Sequence, residues 1–143
     1  MHHESIYIAS TESRAGSLII AIGFMEMIKG HLNNVAFFRP ILPDGEEREN
    51  DIDFMLKHFE LDISYEACCG FKVSDYTKAY AEDKEEELYE ALIHKVNQLY
   101  KTYDFVIIEG YPRDVFTSIF DFDINLKIAR NLGTVFVPVL NAQ

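Results

Sequence analysis

Short runs of β-branched and aromatic residues alternate with longer runs at helical spacing along the whole chain, and no other feature restricts its fold as much. Ser5 to Ala9, Asn33 to Phe38, Asp104 to Ile108 and Thr134 to Leu140 read as strands. Leu18 to Lys29, Asp51 to Glu60, Ser74 to Tyr80, Lys84 to Tyr103 and Asp123 to Asn131 read as helices, with apolar residues three and four apart. This order predicts an α/β domain: a mainly parallel sheet with helices on both faces. The expected strand order is 2-3-1-4, which puts the first strand in the centre. A length of 143 residues suits one domain, 1–143.

Local residues punctuate the pattern. Ser17 reads as the N-cap of the first helix and Gly30 as its stop. That helix is apolar nearly all round, which predicts a position deep against the sheet. Pro40 is expected to end the second strand, and Ile41 to Asn50 reads as a loop with four acidic residues. Leu61 to Val73 shows no regular pattern and is assigned no element. Gly133 closes the last helix, and Pro138 denies the last strand one ladder bond. The sequence stops three residues after Leu140, where a doubly wound sheet needs another covering helix. A fragment of a longer multidomain chain is therefore expected, truncated at its C-terminus.

Charge narrows the functional classes. There are 13 Lys+Arg against 24 Asp+Glu, a net charge of -11, which argues against nucleic acid and anionic membranes as partners. The longest apolar stretch, Leu18 to Met25, is far shorter than the roughly 20 residues that cross a bilayer. No signal peptide is read at His2, His3 and Glu4. Cys68 and Cys69 are adjacent, which excludes an ordinary disulfide framework and spaced zinc ligands. A reducing cytoplasm is the expected compartment. The acidic run Glu82 to Glu87, with Glu90, reads as the solvated start of a helix. His31, His58 and His94 show no ligand spacing.

The chemistry should lie beyond the carboxyl ends of the strands. Ser10 to Ser17 joins a strand to a helix through a polar turn containing glycine, an arrangement whose backbone N–H groups cradle phosphates. A complete phosphate loop follows its last glycine with Lys and then Ser or Thr. Here Gly16 is followed by Ser17 and Leu18, so the ammonium is missing and an apolar side chain replaces the magnesium-binding hydroxyl. Thr11, Glu12, Ser13, Arg14, Ala15, Gly16, Ser17 and Arg39 are then candidates for a degenerate, weak nucleotide or phosphate site. Glu109, after an apolar strand, is a weak candidate for a metal. Asp51 and Asp53 fit helix capping better. No residue reads as catalytic.

The residues also carry a family resemblance. Ile6 to Ser13 with Arg14-Ala-Gly16 resembles the start of the N-terminal domain of many bacterial phosphate acetyltransferases, a domain similar to dethiobiotin synthetase of the phosphate-loop superfamily. The likeness continues through Gly23 to Glu26, Val35 to Pro40 and Asn50 to Ile52. It resumes at Asp104 to Gly110, Phe122 to Asn125 and Ile128 to Gly133. It implies a phosphate-loop type fold and a regulatory or assembly role beside a separate catalytic domain, which interconverts acetyl-CoA plus phosphate with acetyl phosphate plus CoA. In the synthetase relatives the loop lysine and the next hydroxyl bind ATP and Mg²⁺, and Ser17 and Leu18 stand there in this chain. Those relatives also use a basic residue matching Arg39 and acidic metal-site residues matching Asp51 and Glu109.

The leading expectation is thus a non-catalytic regulatory or assembly domain of a phosphate acetyltransferase. It needs no cofactor, binds Mg-ATP or another nucleotide at most weakly, and has the rest of its own enzyme and further copies of itself as partners. The alternative is a stand-alone ATP-dependent carboxylase or amidoligase, with Arg14 and Arg39 supplying the cations. A flavodoxin-like or receiver-like module shares the layout, but the Ser-Thr-Glu-Ser turn and the absence of lysine after Lys127 speak against a receiver.

Overall fold

The computed structural model of the chain describes residues 4–10, 16–45, 48–111 and 120–139. Five strands form one sheet: β1 (Ser5–Ser10), β2 (Val35–Leu42), β3 (Cys69–Lys72), β4 (Phe105–Glu109) and β5 (Val135–Val139). Their order is β3-β2-β4-β1-β5 and every pairing is parallel. The four strands read from sequence keep the expected order. The addition is β3, at the edge, within the segment that was assigned no element. Cys69-Gly-Phe-Lys72 has no β-branched residue and so gives no strand signal. It pairs because Gly70 lets the two backbones close up: a Cβ there would lie 2.0 Å from the Pro40 carbonyl oxygen.

Pro40 does not end β2, which runs on to Leu42. The pairing with β4 stops at Phe38, and the pairing with β3 uses Arg39, Ile41 and Leu42, so the missing N–H falls outside both sets of partners. Pro138 sits on β5, an edge strand, where the loss is tolerated.

The helices are α1 (Ser17–Lys29), α2 (Asn50–His58), α3 (Val73–Ala81), α4 (Glu85–Thr102) and α5 (Phe120–Leu132), with a short 3-10 turn at Glu66–Cys68. Alternation along the strands divides the core in two. Tyr7, Phe38, Val106 and Ile108 pack with Leu92, Val96 and Leu99 of α4 and Ile124 and Ile128 of α5. Ile8, Val35, Phe37 and Ile107 pack on the other face with Ala21 and Met25 of α1 and Ile52 and Met55 of α2. Helices therefore cover both faces of the parallel sheet, the expected α/β arrangement. The acidic start of α4 lies on its outside, with Glu86 and Glu87 exposed.

Helix α1 departs from the expectation of deep burial. Only Ser17, Ala21 and Met25, four residues apart, are buried, while Ile19 is 72% and Met27 58% exposed. One sheet face meets one stripe of a helix, and no described element covers the rest. No helix among the described residues is long and apolar enough to cross a membrane.

Candidate functional site

The strand register assembles the site. Ile8 of β1 stands opposite Glu109 of β4, and Phe38 of β2 stands opposite Ile108. One further step brings Arg39 level with Glu109. Both alternate in phase with Phe37 and Ile107, so both project towards the α1 and α2 face. The first turns of those helices meet them there with Ser17 and Asp51.

Gly16, not Ser17, is the N-cap of α1. It adopts a left-handed conformation, φ 78°, that favours glycine, and Ser17 becomes the first helical residue. The buried Ser17 hydroxyl caps nothing and instead donates to Glu109 Oε2 at 3.1 Å. The cap of α2 likewise falls to Glu49 rather than to Asp51 or Asp53. Glu49 Oε2 accepts from the Ile52 N–H at 3.0 Å, while both aspartates lie in the first turn, where they suit the macrodipole. Asp53 receives a bidentate contact from Arg48, with Nη2 to Oδ1 at 2.6 Å.

Arg39 is the hub, with only 3% of its side chain exposed. Its Nη1 reaches Glu49 Oε1 at 2.7 Å and Asp51 Oδ2 at 3.5 Å. Nη2 donates to the Gly110 carbonyl at 3.1 Å. Nε faces Glu109 Oε1 at 3.4 Å, an ion-pair distance without hydrogen-bond alignment, and neither atom has a hydrogen-bond partner among the described residues. Burial by itself would lower the arginine pKa. Glu109, then Glu49 and Asp51, outweigh it and hold the guanidinium above its ordinary value.

Three carboxylates around one guanidinium leave an excess of negative charge. Burial is the main reason that the Glu109 carboxyl is pushed up to about 8; Arg39 opposes the shift, and the neighbouring Asp51 adds to it. Glu49 moves upwards too, again chiefly through burial. A proton on Glu109 thus meets part of the excess at neutral pH.

A second buried network fixes the backbone that Arg39 grips. Tyr7 donates to Asn125 Oδ1 at 2.7 Å, and the same oxygen accepts from the Tyr111 N–H at 3.1 Å. Asn125 Nδ2 returns a bond to the Tyr111 carbonyl at 3.0 Å, and the Gly110 N–H donates to the Ile8 carbonyl at 2.7 Å. Gly110 has no room for a side chain: a Cβ would lie 2.5 Å from Asn125 Oδ1 and 2.7 Å from the Tyr7 ring.

Of the predicted site residues, Gly16, Ser17, Arg39, Asp51 and Glu109 come together, and Thr11 to Ala15 lie outside the described residues. Sequence reasoning missed Glu49, Tyr7 and Asn125. Glu49 did offer a signal, standing three residues before Ile52 at the start of a helix. Cys68 is buried, with its thiol pushed up to about 12, and Cys69 donates to the Tyr65 carbonyl; both are free.

A magnesium site of the kind that the resemblance implies would need the Asp51 and Glu109 carboxylates and a hydroxyl as oxygen ligands. Those carboxylates instead face the buried guanidinium, and the Ser17 hydroxyl points its proton at Glu109. Among the described residues no group of three or more His, Cys, Asp or Glu is placed to hold a metal ion. The residues present do not fit the ion.

Comparison with known proteins places this geometry in a family. The family model described as an AAA domain, AAA_26, matches residues 4–142. The chain belongs to the AAA_26 family. It is 33% identical over 141 residues to phosphate acetyltransferase of Nitratidesulfovibrio vulgaris, covering 97% of this chain and 20% of that protein. Identity to phosphate acetyltransferase of a Synechocystis strain is 26%, again over 97% of this chain and 20% of the relative. The chain thus spans about a fifth of the length of these curated relatives. Among solved structures, a GTPase in apo form from Pyrococcus abyssi aligns with 96% of this chain and 66% of its own, at 12% identity and a TM-score of 0.45.

Proposed function

We propose that this AAA_26 domain is a non-catalytic regulatory or assembly domain of a phosphate acetyltransferase, whose catalytic part interconverts acetyl-CoA plus phosphate with acetyl phosphate plus CoA. The similarity to two phosphate acetyltransferases along almost the whole chain supports the parent enzyme. One observation above all supports the non-catalytic role. Ser17 stands where a phosphate loop places its lysine, and its short side chain is engaged inward with Glu109. Phosphoryl transfer depends on cations that meet the charge on the transferring group. In this reading the loop retains at most weak affinity for Mg-ATP or a related anion. The domain acts in the cytoplasm through the rest of its own enzyme and through contacts with further copies.

The reading predicts that the purified chain forms no acetyl phosphate from acetyl-CoA and phosphate and releases no ADP from Mg-ATP. Turnover of Mg-ATP at the rate of a working synthetase would refute it. The size of the native polypeptide in its source cells adds a second test. A band several-fold above 16.5 kDa on a denaturing gel agrees with a domain of a larger enzyme, and a band at 16.5 kDa does not.

A further inference from the structure

We infer that the Arg39 guanidinium is the resident cation of this site and stands in place of a divalent metal ion. The carboxylates around it come from two separate segments: the start of α2, with its N-cap Glu49 and first-turn Asp51, and the end of β4, with Glu109. Such convergence is what a multidentate cation site requires, and here the cation is a side chain of β2. Nη1 and Nη2 both donate to oxygens, Nη2 to the Gly110 carbonyl, and Nε lies at ion-pair distance from Glu109 Oε1. That carbonyl is held from behind, because Asn125, itself bonded by Tyr7, accepts from the Tyr111 N–H of the same peptide, and Gly110 leaves no space for a side chain. The guanidinium is therefore caged, with 3% of the side chain exposed, rather than presented to a phosphate.

An internal cation of this kind is bound at every metal concentration. It ties β2, α2 and β4 together permanently and removes the divalent ion as a ligand of the site. The inference does not rest on the regulatory reading; it holds equally for a domain with any other role.

Mn²⁺ binding to the whole chain tests it, read from the loss of the free-ion electron paramagnetic resonance signal and by calorimetry. The wild type should bind no Mn²⁺ that is lost in Asp51→Asn. Arg39→Met, which removes the charge and keeps the bulk, should bind one Mn²⁺ at least tenfold more tightly than the wild type does. Methylguanidinium should compete for the equivalent cage in Arg39→Ala. Stoichiometric Mn²⁺ on the wild type, abolished by Asp51→Asn, would overturn the inference. So would a folded Arg39→Met that binds no Mn²⁺, since the guanidinium would then not occupy an ion's place. If both Arg39 variants fail to fold, the wild type alone decides: its melting temperature should be the same with and without millimolar Mn²⁺. A rise that Asp51→Asn removes would refute the proposal.

Discussion

Glu109 sits where ionisation is costly, and the cost has a definite sign. An unfolded chain ionises this carboxyl near its ordinary value of 4.5, whereas the folded protein holds the proton to about 8. Between those values the folded state binds more protons than the unfolded one, so stability falls as pH rises through that window and is level outside it. Glu109→Gln cannot ionise. Urea denaturation at pH 5, 6.5 and 8 should show the wild type losing stability across the series, by an amount on the order of 1 kcal/mol or more, while the variant stays flatter. Parallel trends would show that Glu109 ionises normally. Asn125 raises a separate matter: its amide satisfies the Tyr7 hydroxyl and both polar groups of the Tyr111 peptide. Asn125→Ala should cost about 3 kcal/mol or more, because buried groups lose their partners, and Tyr7→Phe about 1 kcal/mol. Equal effects from the two changes would show that the clamp on the Gly110–Tyr111 backbone contributes little. Arg39, Asp51 and Glu109 were legible in the sequence because each is a charged residue at the close of an apolar run or the start of a helix, although β2 runs on past Arg39 to Leu42. Asn125 was not, because an asparagine between apolar residues of a helix looks the same whether it is exposed or clamps a neighbouring backbone.

At the level of elements, four strands announced themselves through β-branched and aromatic runs, and their order followed from the alternation with helices. β3 did not, since its pairing depends on close backbone approach rather than on side-chain propensity. Gly70→Ala places a methyl group against the Pro40 carbonyl, where backbone on both sides leaves little room to yield. The substitution should destabilise the protein by about 2 kcal/mol. Hydrogen exchange should also quicken at Phe71 and Lys72 while β1 and β4 stay protected. Unchanged exchange at those two amides would mean that the β2–β3 pairing tolerates the methyl group. Helix α1 marks the opposite limit. Its composition suggested complete burial, yet the sheet takes up only the Ser17, Ala21 and Met25 stripe. Hydrophobicity identifies a surface able to be covered, and the topology of the neighbouring elements determines whether anything covers it.

For the molecule as a whole, charge is the property that sequence conveys without loss. An excess of 11 negative charges, 24 acidic against 13 basic residues, sits on a domain whose basic hub, Arg39, is buried and already matched. Acidic groups face outward along the start of α4, where Glu86 and Glu87 are exposed. Repulsion among exposed charges is long-ranged and screened by salt, with a Debye length of about 30 Å at 0.01 M and about 8 Å at 0.15 M. The Arg39 guanidinium is buried, so the same salt should affect its ion pairs far less. Raising NaCl from 10 to 200 mM should therefore raise the melting temperature by a few degrees, as self-repulsion in the compact state is relieved. Arg48→Ala, which removes an exposed ion pair with Asp53, should change the melting temperature little and leave that salt response in place. A melting temperature that falls with added salt would mean that favourable surface pairs, rather than net repulsion, dominate the exposed charges of this domain.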